Sequence, residues 1–264
     1  MSTLQYRQFE VPDGVIDLGL GQPDASVFPV EIISDATAAV LAGGDHDYFQ
    51  YGAEYGDREH RIALGEFLTG AYGCRVDPEL VLTTNGNSQA LDLACTVFTS
   101  PGDVVIVEEP TYFLARGILA DHGLRPIGVP LDRDGLDTAA LAATLADLQR
   151  GGTPARLVYC IPASQNPTGI TLSAARRRRL VELADEFDVL VIADEVYHLL
   201  EYGPAGPAPM SAFADTGRVL SLGTFSKILA PGLRLGWVHG AAPLLARLAR
   251  SGMVASGGGL NPFT

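Results

Sequence analysis

Arg156-Leu157-Val158-Tyr159-Cys160-Ile161 and Val189-Leu190-Val191-Ile192-Ala193 are short, almost wholly apolar runs, and residues 173–187 between them carry a helical pattern. A run that is apolar at every position, not at alternate ones, fits a strand buried on both faces. Two such runs joined by a helix read as a parallel crossover unit, with Ser173 as the helix N-cap. Working outward, the alternation recurs. Upstream, 79–83 and 103–107 read as strands, 88–98 and 112–122 as helices, 126–129 as a short strand, and 137–149 as a helix capped by Asp137 or Thr138. Downstream, 219–222 reads as another strand. The expected fold class is α/β: a mostly parallel sheet covered by helices on both faces.

In such sheets ligands bind beyond the carboxyl ends of the strands. The polar clusters fall there: Asn85-Gly86-Asn87-Ser88, Glu108-Glu109-Pro110-Thr111-Tyr112, Asn166-Pro167-Thr168-Gly169, Asp194-Glu195-Val196-Tyr197 and Gly223-Thr224-Phe225-Ser226-Lys227. Five loops are therefore expected to converge on one site. Residues 205–209, with Gly203 and Pro204, read as a surface loop.

Composition narrows the function classes. A net charge of −13 argues against a nucleic-acid binder, which needs a basic face. The one basic run, Arg176 to Arg179, lies in a helical pattern and reads as mostly solvated. Cys74, Cys95 and Cys160 fit neither a disulfide framework nor a zinc pattern, and the five histidines show no ligand spacing, so no metal is expected. The start, Met1 to Gln8, is polar, and no apolar run reaches membrane-spanning length. The expectation is a cytoplasmic protein.

Lys227 is the one lysine among eighteen basic residues. A reserved amine and compositional drift explain that equally well on composition alone. Other catalytic signatures are missing: Gly19-Leu20-Gly21 lacks the third glycine of a dinucleotide fingerprint, and neither a Walker lysine nor a Gly-x-Ser-x-Gly elbow occurs.

Thr224-Phe225-Ser226-Lys227, followed by Pro231-Gly232-Leu233-Arg234-Leu235-Gly236, resembles the lysine signature of class I/II aminotransferases, in the fold-type I pyridoxal-5′-phosphate (PLP) superfamily. The likeness runs from about residue 19 to residue 236 and is greatest to the subgroup of 2-aminoadipate, kynurenine and aromatic aminotransferases. It implies PLP as cofactor, amino-acid and 2-oxo-acid substrates, and a homodimer with shared sites. Lys227 would form the internal aldimine and shuttle the substrate Cα proton. Asp194 would pair with the pyridinium nitrogen, Tyr197 and Asn166 would bond the O3′ oxygen, and Tyr112 would stack on the ring. Asn166 would also lie near the substrate carboxylate. Arg234, Thr224, Ser226, Asn87 and Ser88 would hold the phosphate, aided by a helix N-terminus. Tyr51 would reach the neighbouring subunit's phosphate, and the backbone of Gly21 would approach the substrate. Each has a plainer reading on its own: an ion pair for Arg234, a cap for Asp194, Asn87 or Ser88, a turn for Asn166, a core ring for Tyr112 or Tyr197.

The resemblance divides the chain into an N-terminal arm with the first part of a small domain (1–45) and a PLP-binding large domain (46–264). Relatives continue for on the order of a hundred residues more, through most of the small domain and the arginine that clamps the substrate carboxylate. The small domain is thus expected to be incomplete and transamination by the chain as given to be weak. Two other functions stay open. One is a PLP-dependent lyase, synthase or oxidase. The other is a catalytically impaired, cofactor-binding sensor or structural relative.

Overall fold

The computed structural model describes residues 14–16, 21, 23–200, 206–257 and 260–261. One eight-stranded sheet organises them. In chain order the strands are β1 (Val81–Thr84), β2 (Val104–Glu109), β3 (Arg125–Asp132), β4 (Gly135–Leu136), β5 (Ala155–Cys160), β6 (Leu190–Asp194), β7 (Val219–Thr224) and β8 (Gly236–Gly240). Their spatial order is β1-β8-β7-β6-β5-β2-β3-β4. The run from β7 to β3 is parallel, whereas β8 runs antiparallel to both neighbours. The sequence did not mark β8 as a strand, because Trp237-Val238-His239 is short and enclosed by Gly236 and Gly240.

The helices are α1 (Val30–Ala42), α2 (Arg58–Tyr72), α3 (Gly86–Phe98), α4 (Phe113–Asp121), α5 (Thr138–Arg150), α6 (Ala174–Glu186), α7 (Ala242–Ala249) and α8 (Gly252–Ala255). The expected caps hold: Asp137 accepts from the N–H groups of Ala139 and Ala140, and Ser173 accepts from that of Arg176.

Alternation inside the apolar strands explains the two layers. Val105, Val107, Leu157, Tyr159, Ile192, Leu220 and Leu222 face the cluster containing α3, α4 and α7. Val104, Ile106, Val158, Cys160, Val191, Ala193 and Val219 face the one containing α5 and α6. Both faces are buried, as a parallel sheet requires.

One member of the basic run is not solvated. Arg177 is 1% exposed. Its guanidinium donates to the carbonyls of Leu172 (2.9 Å), Ala208 (2.9 Å) and Pro162 (2.8 Å), with Glu195 Oε1 at 3.8 Å. Four consecutive helical residues sweep the whole circumference, so one must face the sheet, and here that residue finds carbonyls and a carboxylate. Arg176 pairs with Asp132 (2.6 Å) and Arg179 with Glu182 (3.0 Å). The expected loop 205–209 is described from Gly206, and Ala208 is the residue tied to Arg177; Gly203 and Pro204 lie outside the described residues.

Candidate active site

Asp194 ends β6 and is 7% exposed. Asn87 Nδ2, from the first turn of α3, donates to its Oδ1 at 2.6 Å, and Tyr159 Oη, from β5, donates to its Oδ2 at 2.8 Å. Burial raises the carboxyl's pKa; the bonds from Tyr159, Asn87 and the Val196 N–H oppose that shift. Among the described residues no basic side chain forms an ion pair with Asp194. A buried carboxylate so placed is best completed by a cation brought by a ligand.

Lys227 follows β7 and is half-buried. Its Nζ donates to the Gly21 carbonyl at 2.6 Å. Burial lowers the ammonium's pKa and the Asp194 charge raises it, so the two groups lie in one electrostatic neighbourhood. Asn166 Nδ2 is 3.5 Å from Tyr197 Oη. Burial raises the pKa of both Tyr112 and Tyr197; at Tyr112 the charges of Tyr197 and then Asp194 add to the shift, while at Tyr197 the Asn166 hydrogen bond opposes it and Asp194 adds to it. Tyr112 is half-buried, with its ring edge-on to that of Phe113.

An anion seat lies beside this group. Asn85 makes no side-chain cap hydrogen bond to α3, and the N–H groups of a helix start form a seat for an anion. Arg234 is exposed, with its Nη2 3.2 Å from the Asn85 carbonyl oxygen. Its backbone is left-handed, φ 53°. Gly86 has φ 79°, and a Cβ there would come within 3.1 Å of Arg234 Nη2, so glycine lets the guanidinium close on the helix start. A Cβ on Gly236 would in turn meet Gly86 Cα at 2.8 Å. Thr224 Oγ1 accepts the Ser226 N–H at 3.1 Å and lies 2.9 Å from Ser226 Oγ. These hydroxyls cap the same loop that carries Lys227.

The strand ends thus bring Asp194, Asn87, Tyr197, Asn166, Lys227 and Gly21 together, with Arg234 at the α3 start. Asn87, expected at the phosphate, gives its side-chain N–H to Asp194, while its Oδ1 is buried without a hydrogen-bond partner among the described residues. Ser88 is exposed on α3. Tyr51 is 88% exposed and lies beside Gly257. Sequence reasoning gave no role to Tyr159, Glu108 or Gln165. The signal for Glu108 was a carboxylate ending an apolar strand, and Tyr159 was hidden as one more apolar ring.

Comparisons with known proteins identify the family. The family profile for aminotransferase class I and II matches residues 13–255. An aromatic-amino-acid aminotransferase of Thermococcus litoralis is 39% identical over 234 residues, covering 89% of this chain and 56% of the relative. An uncharacterised HTH-type transcriptional regulator of Bacillus subtilis is 31% identical over 247 residues, covering 92% of this chain and 49% of the relative. The crystal structure of Pyrococcus horikoshii kynurenine aminotransferase superposes with a TM-score of 0.84 at 36% identity, covering 92% of this chain and 60% of that one. The chain therefore spans about half to three-fifths of the length of these relatives. With its lysine, buried aspartate and candidate anion seat at the strand ends of a mostly parallel sheet, the chain belongs to the class I and II aminotransferases.

Proposed function

We propose that this chain is the cofactor-binding part of a PLP-dependent aminotransferase that moves an amino group from an amino acid to a 2-oxo acid. The observation that carries the reading is the placement of the sole lysine amine in the field of a buried aspartate that lacks a cationic partner among the described residues. When bound, PLP supplies an aldehyde that condenses with amines and a ring that takes up the electron pair left by a departing Cα proton.

The chain's own groups have separate tasks. Asp194, oriented by Asn87 and Tyr159, holds a proton at the ring nitrogen. Arg234, Thr224, Ser226 and the N–H groups at Gly86, Asn87 and Ser88 bind phosphate. Asn166 and Tyr197 donate to the phenolic oxygen, and Tyr112 covers the ring. Burial keeps a larger share of Lys227 neutral, which suits an amine that must take a proton from substrate Cα. The backbone of Gly21, whose carbonyl accepts from that amine, is assigned to the approach of the substrate. The setting we assign is the cytoplasm, as a homodimer in which the exposed Tyr51 reaches the other subunit's phosphate. Residues 1–45 belong to the arm and small domain, and 46–264 to the large domain.

Borohydride treatment of PLP-loaded protein is expected to fix a pyridoxyl group on Lys227, seen by peptide mass. A label elsewhere, or none, overturns the reading. One-for-one consumption of 2-oxoglutarate with an amino donor separates transamination from lyase, synthase or oxidase chemistry. The B. subtilis regulator favours a second reading, a sensor domain that binds PLP without turnover. A stable Lys227 label with no 2-oxo-acid consumption would select it.

A further inference from the structure

We propose that Glu108 and Gln165 form a buried brace that positions Asn166, and through it Tyr197, at the cofactor's phenolic oxygen; this rests on the PLP reading above. The brace joins two strand-end loops. Glu108, near the end of β2, and Gln165, after β5, are each 1% exposed. Glu108 Oε2 accepts from Gln165 Nε2 at 3.1 Å and from the Ile161 N–H at 3.0 Å. Gln165 Nε2 also donates to the Pro110 carbonyl at 2.8 Å, two residues before Tyr112. Gln165 Oε1 accepts from the Thr168 N–H (3.0 Å) and Thr168 Oγ1 (2.7 Å).

Both donors and both acceptor sites of that one side-chain amide are therefore used. Its backbone closes the same loop, taking a bond from Gly169 N–H at 2.6 Å and giving one to Ile170 O at 2.9 Å. Asn166 is the next residue, held at its root, with its amide 3.5 Å from Tyr197 Oη. An apolar residue at 165 would leave the Pro110 carbonyl and the Thr168 N–H short of partners and free the loop to shift. Burial pushes the Glu108 carboxyl up to about 8, so near neutral pH it is mostly uncharged and adds little repulsion to Asp194. Glu108 and Gln165 are positioning residues; Asn166 and Tyr197 are the groups that touch the cofactor.

The test is the pH midpoint of the visible absorbance change of PLP-loaded protein, read beside its unfolding curve. Donors to the phenolic oxygen stabilise its negative charge and weaken its hold on the adjacent proton, so losing them moves the midpoint up. Asn166→Ala and Gln165→Met are each expected to raise it by about one pH unit. The double variant should rise no further than Asn166→Ala alone, because Gln165 acts through Asn166. Glu108→Gln keeps an acceptor for Ile161 and Gln165 and should hold the original midpoint, whereas Glu108→Leu should raise it. Thr168→Val, at an exposed position, spares the fold and should give a smaller rise in the same direction. If the Gln165 and Thr168 variants keep the original midpoint while Asn166→Ala moves it, or if the double variant is additive, the brace is overturned and the aminotransferase reading stands. If no visible band appears that Lys227→Ala removes, that reading falls and the brace falls with it.

Discussion

In the sheet, the strands β1, β5, β6, β7 and β8 are almost entirely buried, and the helices α3, α6 and α7 each set several residues into the core. In α1, thirteen residues long, none is buried. Val30 is 68% exposed, Ile32 70%, Val40 47% and Leu41 44%. The contrast separates a unit that satisfies itself from a segment that does not. A helix of this length is marginal alone in water and draws its stability from packing. Exposed apolar residues of this kind suit a contact surface, and we propose that they serve the arm-and-dimer role assigned to the N-terminal region.

The contrast can be broken first at Arg177. Arg177→Met removes the donor to three carbonyls and strands Glu195 inside the core. Urea denaturation should show a loss of about 3–5 kcal/mol; a loss below about 1 kcal/mol would show that the sheet unit does not depend on this centre.

Acid should act next. Burial lowers the His239 pKa to about 4, with the charges of Asp77 and Asp215 opposing and Ser211 Oγ 2.6 Å from its Nδ1. A depressed folded-state pKa means the neutral ring stabilises the fold above about pH 6.5, and that support is lost as pH falls toward 4, about 3 kcal/mol in all. Glu108 tilts the other way. Raised to about 8, it favours the folded state while protonated, and that support is lost as pH rises from about 4.5 to 8. Stability measured from pH 4 to 8 should therefore flatten at the acid side in His239→Gln and at the alkaline side in Glu108→Gln.

A smaller break is Gly236→Ala. Its Cβ would lie 2.8 Å from Gly86 Cα and 2.8 Å from the Gly223 carbonyl oxygen, both backbone atoms. We expect about 1–3 kcal/mol of destabilisation together with weaker PLP retention in equilibrium dialysis, since Gly86 opens α3. The smallest effect belongs to α1. Val30→Ser with Ile32→Ser should leave the unfolding midpoint of the sheet unit within about 0.5 kcal/mol yet shift the protein toward monomer in sedimentation. Unchanged assembly would place the partner surface elsewhere.

The fold was legible where physics is local. Continuous apolar strands, the Ser173 and Asp137 caps and the order of loops could be read directly from residue patterns. The candidate site was proposed through Lys227, Asp194, Asn166 and Arg234, because amine, acid and anion chemistry each need a particular side chain. What escaped depends on contacts between distant residues. Nothing near Arg177 in sequence announces the Ala208 carbonyl, 31 positions away. The reversal of β8 needs β1 and β7 on either side of it. Tyr159 becomes a site residue only when β5 and β6 lie side by side, setting its hydroxyl 2.8 Å from a carboxylate 35 residues on. α2 was not read either, because Gly65 and Gly70 interrupt its pattern; Gly65 is explained by the Pro78 ring, 2.8 Å from where a Cβ would stand.

The single lysine has a practical consequence. Acylating reagents that target side-chain amines have only Nζ of residue 227 to modify, and it sits half-sheltered against a carbonyl oxygen. Apart from the α-amino group, the yield of such a reaction counts open sites directly. Any small molecule that shields the position becomes measurable by protection, without a turnover assay.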